Sequence, residues 1–502
     1  MRLKRNHPGI IFSPLLWSLL LFLALKPYTG KTQILSKGYT AQLEAVRDTI
    51  NSLLKKEKIP SMVIAVTKDG KIIWEEAFGW ADKEQQIKAT PETIYCLGSM
   101  SKSICATGVM TLVENGTVSL EDKVNSLLAP LQLKGYAADA DEVKVWHILN
   151  MSAGIPHGWT SLSDGQLPEK AVGQKELFER FALVTLPPGK VFHYANYSMG
   201  VADVIMEKAS GLTVEAYMKK GLFDPLGMKN SLVTYFEANE NHQLATPYSS
   251  RLNRLDQYQF FPYGGGGYWS SVHDLILYAQ FHLKNNKQSI LSEANLDLMH
   301  HFEQSPGDLF GLGWFNDGVK LISNGSITGF NSCMVLVPSE NLGVVVLTNM
   351  SSNNAITDQV AFSVVDQLAP ELPEGITREK YAELYETPYV RQPELLGLWE
   401  GTLRTGDHAL PVSFNFGENI LIRVADQEEQ QLQNPVFTPS KKLEGAFRAR
   451  LPVPEFNGVD LVETWLHVFV AGNRLVGNTT PMFSNERGSF CYGVYLELRK
   501  KQ

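Results

Sequence analysis

The chain has 502 residues, of which 44% are hydrophobic and 20% are charged, and its formal net charge is −8. These values are typical of a soluble globular protein, and the length exceeds what one ordinary hydrophobic core requires, so we expect two domains. Beyond the N-terminus the chain has no block of basic residues. This excludes the electrostatic footprint of a nucleic-acid-binding protein, and we expect no nucleic-acid partner.

Residues 1–30 predict a signal peptide or an N-terminal anchor. Arg2, Lys4 and Arg5 form a basic flank. The mostly apolar run from Ile10 to Leu25 that follows is shorter than the roughly 20 residues of a membrane span. No small-x-small cleavage site follows this run, so an uncleaved segment that tethers the protein to a membrane stays open. We expect export to the periplasm or the extracellular space, and we leave the oligomeric state open.

Hydrophobic periodicity predicts a first domain over residues 38–368, with strands at both ends and helices in the middle. The predicted elements, in chain order, are a surface helix at 40–55, two strands within 62–82 joined by Lys68-Asp69-Gly70, a helix over 96–116 that ends at Asn115-Gly116, a mostly helical region at 119–300, short strands at 310–315, 332–338 and 342–349, and a closing helix at 354–368. An antiparallel sheet built from both ends of the domain, flanked by helices and a helical subdomain, satisfies this order. The fold class is therefore α/β of the α+β type.

The composition changes at about residue 369. The stretch APELPEG begins a linker over residues 369–393, with a short charged helix predicted at 377–386. Residues 394–502 alternate apolar and polar positions between turns, in the stretches LWEGTLR, LPVSFNF, NILIRVA, FRARLPV, ETWLHVFVAG and GVYLELR. This pattern predicts a second, all-β domain that forms a small barrel.

The four cysteines, Cys96, Cys105, Cys333 and Cys491, show neither a CxxC pair nor a metal-ligand spacing. We expect buried free thiols, because unpaired cysteine is among the most frequently buried residues. A bridge between Cys96 and Cys105 stays open in an exported protein.

A candidate nucleophile lies at the start of the helix predicted over 96–116. Ser99 and Lys102 are three residues apart, so they share one helix face and can form a hydrogen bond. A serine needs a nearby base, and a lysine can serve when burial lowers its pKa. The pattern Ser-x-x-Lys is weak by itself, since Ser52 and Lys55 repeat it on the polar surface helix. Only Ser99 opens a long apolar helix.

Two further stretches could complete a site around Ser99. In Tyr194-Ala195-Asn196 a phenol could relay a proton and an amide could hold the substrate, although a helix N-cap asparagine beside a core tyrosine is the simpler interpretation. In SNGSITGF, residues 323–330, the Gly325 backbone could approach a substrate closely, and the N–H of Ser326 could complete an anion hole. By itself this stretch is typical of a turn before a strand.

The order and spacing of these motifs resemble the serine beta-lactamase and penicillin-binding-protein-like family, in its class C beta-lactamase, DD-carboxypeptidase and esterase branch. Supporting similarity lies in LNMSAGI, PPGKVFHYANYSMG, FDPLGMKNS, GGGGYWSSVHDL and FGLGW. The resemblance implies a beta-lactamase-like fold and an acyl-enzyme mechanism that needs neither metal nor cofactor. The implied residues are Ser99 as nucleophile, Lys102 and Tyr194 for proton transfer, Asn196, Ser323, Asn324 and Gly325 for substrate positioning, and the N–H groups of Ser99 and Ser326 as the oxyanion hole.

One position departs from the family pattern. Where relatives have a Lys or His at the start of the third motif, this chain has Ser323. A neutral hydroxyl cannot make a charge-assisted bond to a substrate carboxylate. This disfavours a beta-lactamase or DD-carboxypeptidase and favours a small-molecule ester, amide or peptide recognised without a carboxylate at that point. A non-catalytic binding protein of the same fold is the remaining alternative.

The second domain resembles the small lipocalin-like barrels appended to some members of this family, through Gly397-Leu398-Trp399-Glu400-Gly401 near its start. Such a barrel could hold a ligand, cover the active-site mouth or mediate oligomers, and a packing partner with a filled core is the simpler interpretation. His193 lies beside Tyr194, but a core or loop histidine is the more common case.

Overall fold

The computed structural model describes residues 34–136, 138–163, 178, 182–285, 290–306, 309–351, 355–376, 380, 388–405, 408–451, 461–485, 488–491 and 493–501. The predicted leader at 1–30 lies outside the described residues, as does the helix predicted at 377–386 except for Lys380.

The α-helices within these residues are α1 (Thr40–Lys56), α2 (Ser101–Glu114), α3 (Val124–Leu128), α4 (Val145–Leu149), α5 (Asn196–Ser210), α6 (Val214–Met218), α7 (Asp224–Leu226), α8 (Val272–His282), α9 (Glu293–His300) and α10 (Ala355–Leu368). In the described part of the chain, every helix is too short or too polar to span a lipid bilayer.

The strands before the linker are β1 (Ile34–Leu35), β2 (Ser61–Lys68), β3 (Lys71–Asp82), β4 (Ile87–Lys88), β5 (Ile94–Cys96), β6 (Lys134–Gly135), β7 (Trp159–Ser163), β8 (Leu183–Val184), β9 (Tyr258–Phe261), β10 (Trp269–Ser271), β11 (Phe315–Asn316), β12 (Leu321–Ile327), β13 (Phe330–Val337) and β14 (Leu342–Thr348). The later strands are β15 (Gly397–Thr405), β16 (His408–Phe416), β17 (Ile420–Val424), β18 (Gln430–Gln431), β19 (Gln433–Phe437), β20 (Lys442–Ala449), β21 (Val462–Ala471), β22 (Arg474–Asn485), β23 (Gly488–Cys491) and β24 (Val494–Lys500).

The first domain is organised around one antiparallel sheet with the order β1-β3-β2-β14-β13-β12-β11. It begins with the predicted hairpin of β2 and β3, where Asp69 and Gly70 have φ angles of 51° and 72°. Two successive left-handed residues are what a tight two-residue hairpin turn requires, and Asp-Gly satisfies it. Ile64 of β2 lies opposite Val346 of β14, so strands from the two ends of the domain pair directly. The predicted α+β architecture is confirmed.

Both faces of this sheet are covered by helices, because successive side chains of its strands point to opposite sides. Ile64 and Val66 of β2 pack with α1 and α10 in one apolar cluster. Val63 and Ala65 of the same strand pack into a larger cluster on the other face, together with α2, α5 and α8. The second face carries the functional site described below.

The structure corrects two predicted elements. The strand predicted at 310–315 is a loop, and only Phe315–Asn316 is paired as a strand. Gly313 in this loop has a φ of 85°, and a Cβ there would lie 2.6 Å from Ala106 Cβ and 3.1 Å from the Lys102 carbonyl oxygen of α2, so the loop depends on this glycine. The helix predicted over 96–116 begins with a 3₁₀ turn, Gly98–Met100, before α2. All four cysteines are buried free thiols, as predicted.

The C-terminal strands form the predicted barrel, a nearly closed antiparallel sheet in the order β18-β17-β16-β15-β24-β22-β21-β20-β19. Its interior is packed with apolar side chains, among them fully buried Trp399, Phe414 and Phe447. Along β21, buried and more exposed residues alternate, as a barrel wall with one filled side requires.

Strand β22 continues beyond the barrel and joins it to the first domain. Its far end pairs with β23, which pairs with β7, which in turn pairs with β9. Cys491 of β23 lies opposite Trp159 of β7, so one small sheet takes strands from both parts of the chain. Residues Gln33–Gln502 accordingly form one compact unit.

Candidate active site

Ser99 lies in the 3₁₀ turn between β5 and α2, where it is partly exposed while Gly98 and Met100 are buried. Gly98 has a φ of 54°, and a Cβ on it would lie 3.2 Å from the Ser326 nitrogen of β12. The glycine therefore permits both the left-handed turn and the close approach of β12. The turn presents the Ser99 hydroxyl to an open cleft.

Lys102 belongs to the first turn of α2, and its residue surface is 3% exposed. Its Nζ lies 3.0 Å from Ser99 Oγ and donates a hydrogen bond to the carbonyl of Gly265. Burial holds the pKa of Lys102 well below its usual value, since a charged ammonium loses its hydration there. The amine is therefore placed to accept a proton.

Tyr194 completes the arrangement around the hydroxyl. Its phenol donates a hydrogen bond to Ser99 Oγ at 2.7 Å, and its ring centroid lies 4.6 Å from Lys102 Nζ. Burial raises the pKa of Tyr194 to about 12, against a smaller opposing effect of the bond to Ser99. The phenol therefore keeps its proton at neutral pH. The side chains of Ser99, Lys102 and Tyr194 meet at one point.

Asn196 is the first residue of α5, and the N-cap residue is Ala195. The simpler interpretation of Asn196 as an N-cap is therefore wrong. Its side-chain Oδ1 is buried and has no hydrogen-bond partner among the described residues. A buried acceptor without a hydrogen bond destabilises the protein. Asn196 lines the cleft, so its Oδ1 could accept a hydrogen bond from a substrate N–H.

The third motif lies on β12, which is a paired strand where the sequence by itself indicated a turn. Ser323 is buried, and its Oγ lies 2.9 Å from Ser103 Oγ on α2. A Cβ on Gly325 would lie 2.6 Å from the Ser99 nitrogen, so this strand runs directly beside Ser99.

Asn324 lines the second lobe of the cleft described below and also bonds across the sheet, so its role in positioning a substrate stays a prediction. The amide Nδ2 donates a hydrogen bond to Asp358 Oδ2 at 3.1 Å, on α10. Helix α10 covers the opposite face of the sheet. The bond to Asp358 therefore turns the Asn324 amide toward α10, while Ser323 and Gly325 line the cleft.

The cleft has two lobes that meet at Ser99. One, of about 260 Å³, is lined by Asn196, His157 and the rings of Trp159 and Phe260, whose centroids are 6.5 Å apart. The other, of about 300 Å³, is lined by Ser323, Phe310, Phe315 and Ile322.

The lining of both lobes contains few ionisable side chains. Among the described lining residues, none is acidic, none is an arginine, and Lys102 is the only lysine. Burial, assisted by Lys102 and His467, lowers the pKa of His157 to about 3. The His157 imidazole is therefore unprotonated at neutral pH, and burial disfavours the ammonium form of Lys102, so the cleft is a poor site for a substrate carboxylate.

Sequence patterns missed several residues of this site. Gly265 accepts the bond from Lys102, yet GGGGYWSSVHDL served only as supporting similarity. A Cβ on Gly265 would lie 2.9 Å from Asn196, so the backbone can approach α5 only with glycine here. The run of glycines in the sequence could have indicated such a close approach. His157 and Trp159 follow no motif and reach the cleft only through folding.

One group of side chains outside the cleft could hold a metal ion. His193, Glu444 and His467 offer ligand atoms within 4.8 Å of one another. These three residues are too far apart in the chain for a sequence motif to predict a metal site from their spacing. The Nζ of Lys442 lies 2.7 Å from Glu444 Oε1, so an ammonium group already holds the cation position at this carboxylate.

Comparison with known proteins agrees with this geometry. The family model described as Beta-lactamase matches residues 46–368. Protein flp of Staphylococcus aureus strain MRSA252 is 23% identical over 320 residues, which are 60% of this chain and 61% of that protein. The chain therefore spans less than two thirds of the length of flp. A beta-lactamase of Yersinia enterocolitica is 27% identical over 374 residues, 64% of this chain and 90% of that protein.

A solved structure extends the likeness beyond the first domain. The octameric penicillin-binding protein homologue from Pyrococcus abyssi superposes with a TM-score of 0.56 at 23% sequence identity, covering 89% of this chain and 99% of that one. This share is too large to be confined to residues 46–368, so the likeness in fold includes part of the barrel domain.

Proposed function

The chain belongs to the beta-lactamase family, and on that premise we propose that it is a serine hydrolase that cleaves an ester or amide bond through an acyl-enzyme on Ser99. The observation that carries the proposal is the position of Ser99 Oγ, 3.0 Å from Lys102 Nζ and 2.7 Å from the Tyr194 hydroxyl. A non-catalytic binding protein of the same fold would have no need of a buried lysine with a lowered pKa beside a serine.

The hydrogen bonds suggest a direction for proton transfer. In the resting arrangement Tyr194 and Lys102 both donate to Ser99 Oγ, and Lys102 also donates to the Gly265 carbonyl. For attack, the unprotonated form of Lys102, which burial favours, would turn its lone pair to the serine hydroxyl and accept its proton. As Ser99 Oγ bonds to the substrate carbonyl carbon, its proton passes to Nζ, and the carbonyl oxygen takes the negative charge. The N–H groups of Ser99 and Ser326 would hold this oxyanion.

Collapse of the tetrahedral intermediate breaks the bond to the leaving alcohol or amine. That group takes a proton from Lys102 or Tyr194, and the acyl group stays on Ser99. Water then attacks the acyl-enzyme, and the same groups accept and return its proton, which releases the acid and restores Ser99.

The preferred substrate is uncharged around the scissile bond. Ser323 stands where a cation would recognise a carboxylate. Among the described lining residues of both lobes, Lys102 is the only lysine, arginine or acidic residue, and burial disfavours its charged form. Neutral esters and amides therefore fit the cleft better than penicillins or peptides with a free C-terminal carboxylate.

The test is covalent labelling of purified protein with a fluorophosphonate and with a labelled penicillin, followed by peptide mapping. We expect the phosphonate on Ser99 and hydrolysis of p-nitrophenyl esters or neutral amides. Equal labelling and turnover of penicillin would instead favour a beta-lactamase or DD-carboxypeptidase. A folded protein that accepts neither label and turns over none of these substrates would overturn the proposal.

We expect Gly325→Ala to lower kcat by about 10²–10³-fold, the usual effect of losing one oxyanion donor. A methyl group here would lie 2.2 Å from the Leu97 carbonyl oxygen and 2.6 Å from the Ser99 nitrogen, so β12 and its Ser326 N–H must move away. Gly221→Ala is the control, because its methyl would meet no heavy atom closer than 3.7 Å. Ester kinetics with normal kcat in Gly325→Ala would contradict this role of β12.

We expect Ser323→Lys to improve kcat/KM for carboxylate-bearing esters relative to their methyl esters by about tenfold, the scale of a charge-assisted hydrogen bond of about 1.5 kcal/mol. The new ammonium would enter the lobe lined by Phe310 and Phe315. Ser323→Met, which adds length without charge, is the matched control. An unchanged ratio of the two kcat/KM values would show that charge at this position does not set specificity.

A further inference from the structure

A buried polar cluster joins the barrel to the chain segment that carries Tyr194. We define it as His193, Lys442, Glu444 and His467. Lys442 lies on β20 with its side chain 9% exposed, and its Nζ donates a hydrogen bond of 2.8 Å to the backbone carbonyl of Phe192, 250 residues away in the chain. The same Nζ lies 2.7 Å from Glu444 Oε1.

Glu444 and His467 extend the cluster to His193. The Nδ1 of His467 lies 2.8 Å from Glu444 Oε1. The rings of His467 and His193 meet edge to face, with centroids 4.7 Å apart. His193 is 2% exposed, and its Nε2 lies 3.5 Å from the Asn478 amide of β22.

The charges in this cluster depend on one another. Burial by itself would raise the pKa of Glu444, but Lys442 and His467 outweigh it and hold that pKa well below its usual value. Removing one member of a buried pair leaves the other charge uncompensated, which is strongly destabilising. The cluster therefore acts as one unit and resists partial rearrangement.

The segment that this cluster holds has no secondary structure to stabilise it. Residues 192–195 lie outside any strand or helix, just before α5. The described bonds to its backbone include His193 N–H to Met151 O at 2.7 Å and Phe192 C=O from Lys442. Tyr194 follows directly, and its phenol must stay within hydrogen-bond distance of Ser99.

We propose that Lys442, with Glu444 and His467, forms a set of positioning residues supplied by the barrel, which hold Tyr194 against Ser99 by fixing the Phe192–His193 backbone. This inference rests on the proposed function, because it assigns work to Tyr194. It gives the barrel a role in catalysis without a ligand of its own. The Lys442 ammonium, rather than a metal ion, neutralises Glu444.

The first test compares Lys442→Met with Lys442→Arg in the full chain. Active-site titration with a fluorophosphonate counts reactive Ser99, and ester kinetics then give kcat per reactive site. We expect Lys442→Met to lower kcat by about 10–100-fold with KM changed less than about threefold, since a shift of about 1 Å in a catalytic group costs about 10²-fold. Lys442→Arg keeps the charge and a donor, and we expect it to recover most of kcat.

Arg423→Met is the control, because it removes a different ion pair of the barrel, that with Glu429 at 3.5 Å. We expect its kcat per reactive site to equal that of the wild type. A merely structural role for Lys442 would lower the melting temperature while kcat per reactive site stayed normal, and this result would overturn the proposal.

A double-mutant cycle shows whether Lys442 acts through Tyr194. In a Tyr194→Phe background, Lys442→Met should have little further effect on kcat, because coupled residues are non-additive. Fully additive losses would overturn the proposal. Zinc bound stoichiometrically by wild-type protein and lost in His467→Gln would overturn the assignment of Lys442 as the cation of the cluster.

A crystal structure of Lys442→Met tests the positioning role independently of whether the protein is a hydrolase. We expect the distance from Tyr194 hydroxyl to Ser99 Oγ to exceed hydrogen-bond length. An unchanged distance would overturn the positioning role even in an active enzyme. If the wild type hydrolyses no ester or amide, the proposed function fails, while this distance still decides whether the barrel positions Tyr194.

Discussion

Ser99→Ala is expected to lower kcat by about 10⁶-fold, the loss seen when a serine hydrolase loses its nucleophile. No other oxygen occupies the point between Lys102 Nζ and the Tyr194 hydroxyl in the described structure, so no group can replace the serine in forming an acyl-enzyme. The thermal unfolding midpoint should change little, because Ser99 is partly exposed in a short turn. Ester kinetics, phosphonate labelling and a thermal melt together check this result.

The chain offers a matched control for this substitution. Ser52 and Lys55 form the other Ser-x-x-Lys, on exposed positions of α1. Ser52→Ala should leave kcat, KM and phosphonate labelling unchanged. If Ser99→Ala kept appreciable turnover, or if the phosphonate label appeared elsewhere, the acyl-enzyme on Ser99 would be excluded.

Lys102→Met is the second large expected effect, a loss of at least about 10³-fold in kcat/KM, comparable with loss of a base in other serine enzymes. Methionine has a similar length but no lone pair of sufficient basicity, so the Ser99 proton has no acceptor. Lys55→Met on α1 is the control and should retain full activity. Normal turnover in Lys102→Met would remove lysine from the mechanism.

The pH dependence of the same pair of proteins gives an independent check. Burial lowers the pKa of Lys102 well below its usual value of 10.5. We expect wild-type kcat/KM to fall as the pH falls through this lowered pKa, because a protonated amine cannot accept the serine proton. The residual activity of Lys102→Met should lack this limb of the profile.

The free energy of unfolding should also depend on pH, in a direction set by the lowered pKa of Lys102. Between the lowered pKa and 10.5 the unfolded chain binds a proton at Lys102 that the folded chain does not. The free energy of unfolding of the wild type should therefore rise with pH across this window, by about 1.4 kcal/mol per pH unit at most from this group. Lys102→Met should lack this contribution, so its free energy of unfolding should depend less on pH across this window. Urea unfolding at several pH values measures both effects.

Much of the fold could be predicted because its signals are local. The hairpin turn at Asp69-Gly70, the helix stop at Asn115-Gly116 and the alternation along the barrel strands each depend on residues a few positions apart. The prediction of a strand at 310–315 was wrong because the conformation there depends on a contact between residues far apart in the chain. An apolar, glycine-rich run reads as a strand, but Gly313 lets this loop pass against the backbone of α2, a contact with a distant element.

The candidate site divides in the same way. Ser99 and Lys102 are one helical turn apart, so their contact follows from the sequence as soon as the local geometry is known. Asn324 shows the limit of this approach. Its motif neighbours face the cleft, but only the pairing of β12 reveals that its amide points to Asp358 on the other face of the sheet.

By itself, the sequence determined the candidate reactive groups, the tight turn at Asp69-Gly70, the alternation of the barrel strands and the absence of a cation at Ser323, because each is a property of one residue or of near neighbours. Only the tertiary structure decided that Gly265 receives the Lys102 bond and that the barrel's Lys442 holds the segment before Tyr194. These contacts join residues 163 and 250 positions apart. No local pattern encodes such pairs, because their closeness depends on how the sheet, the helices and the barrel pack together.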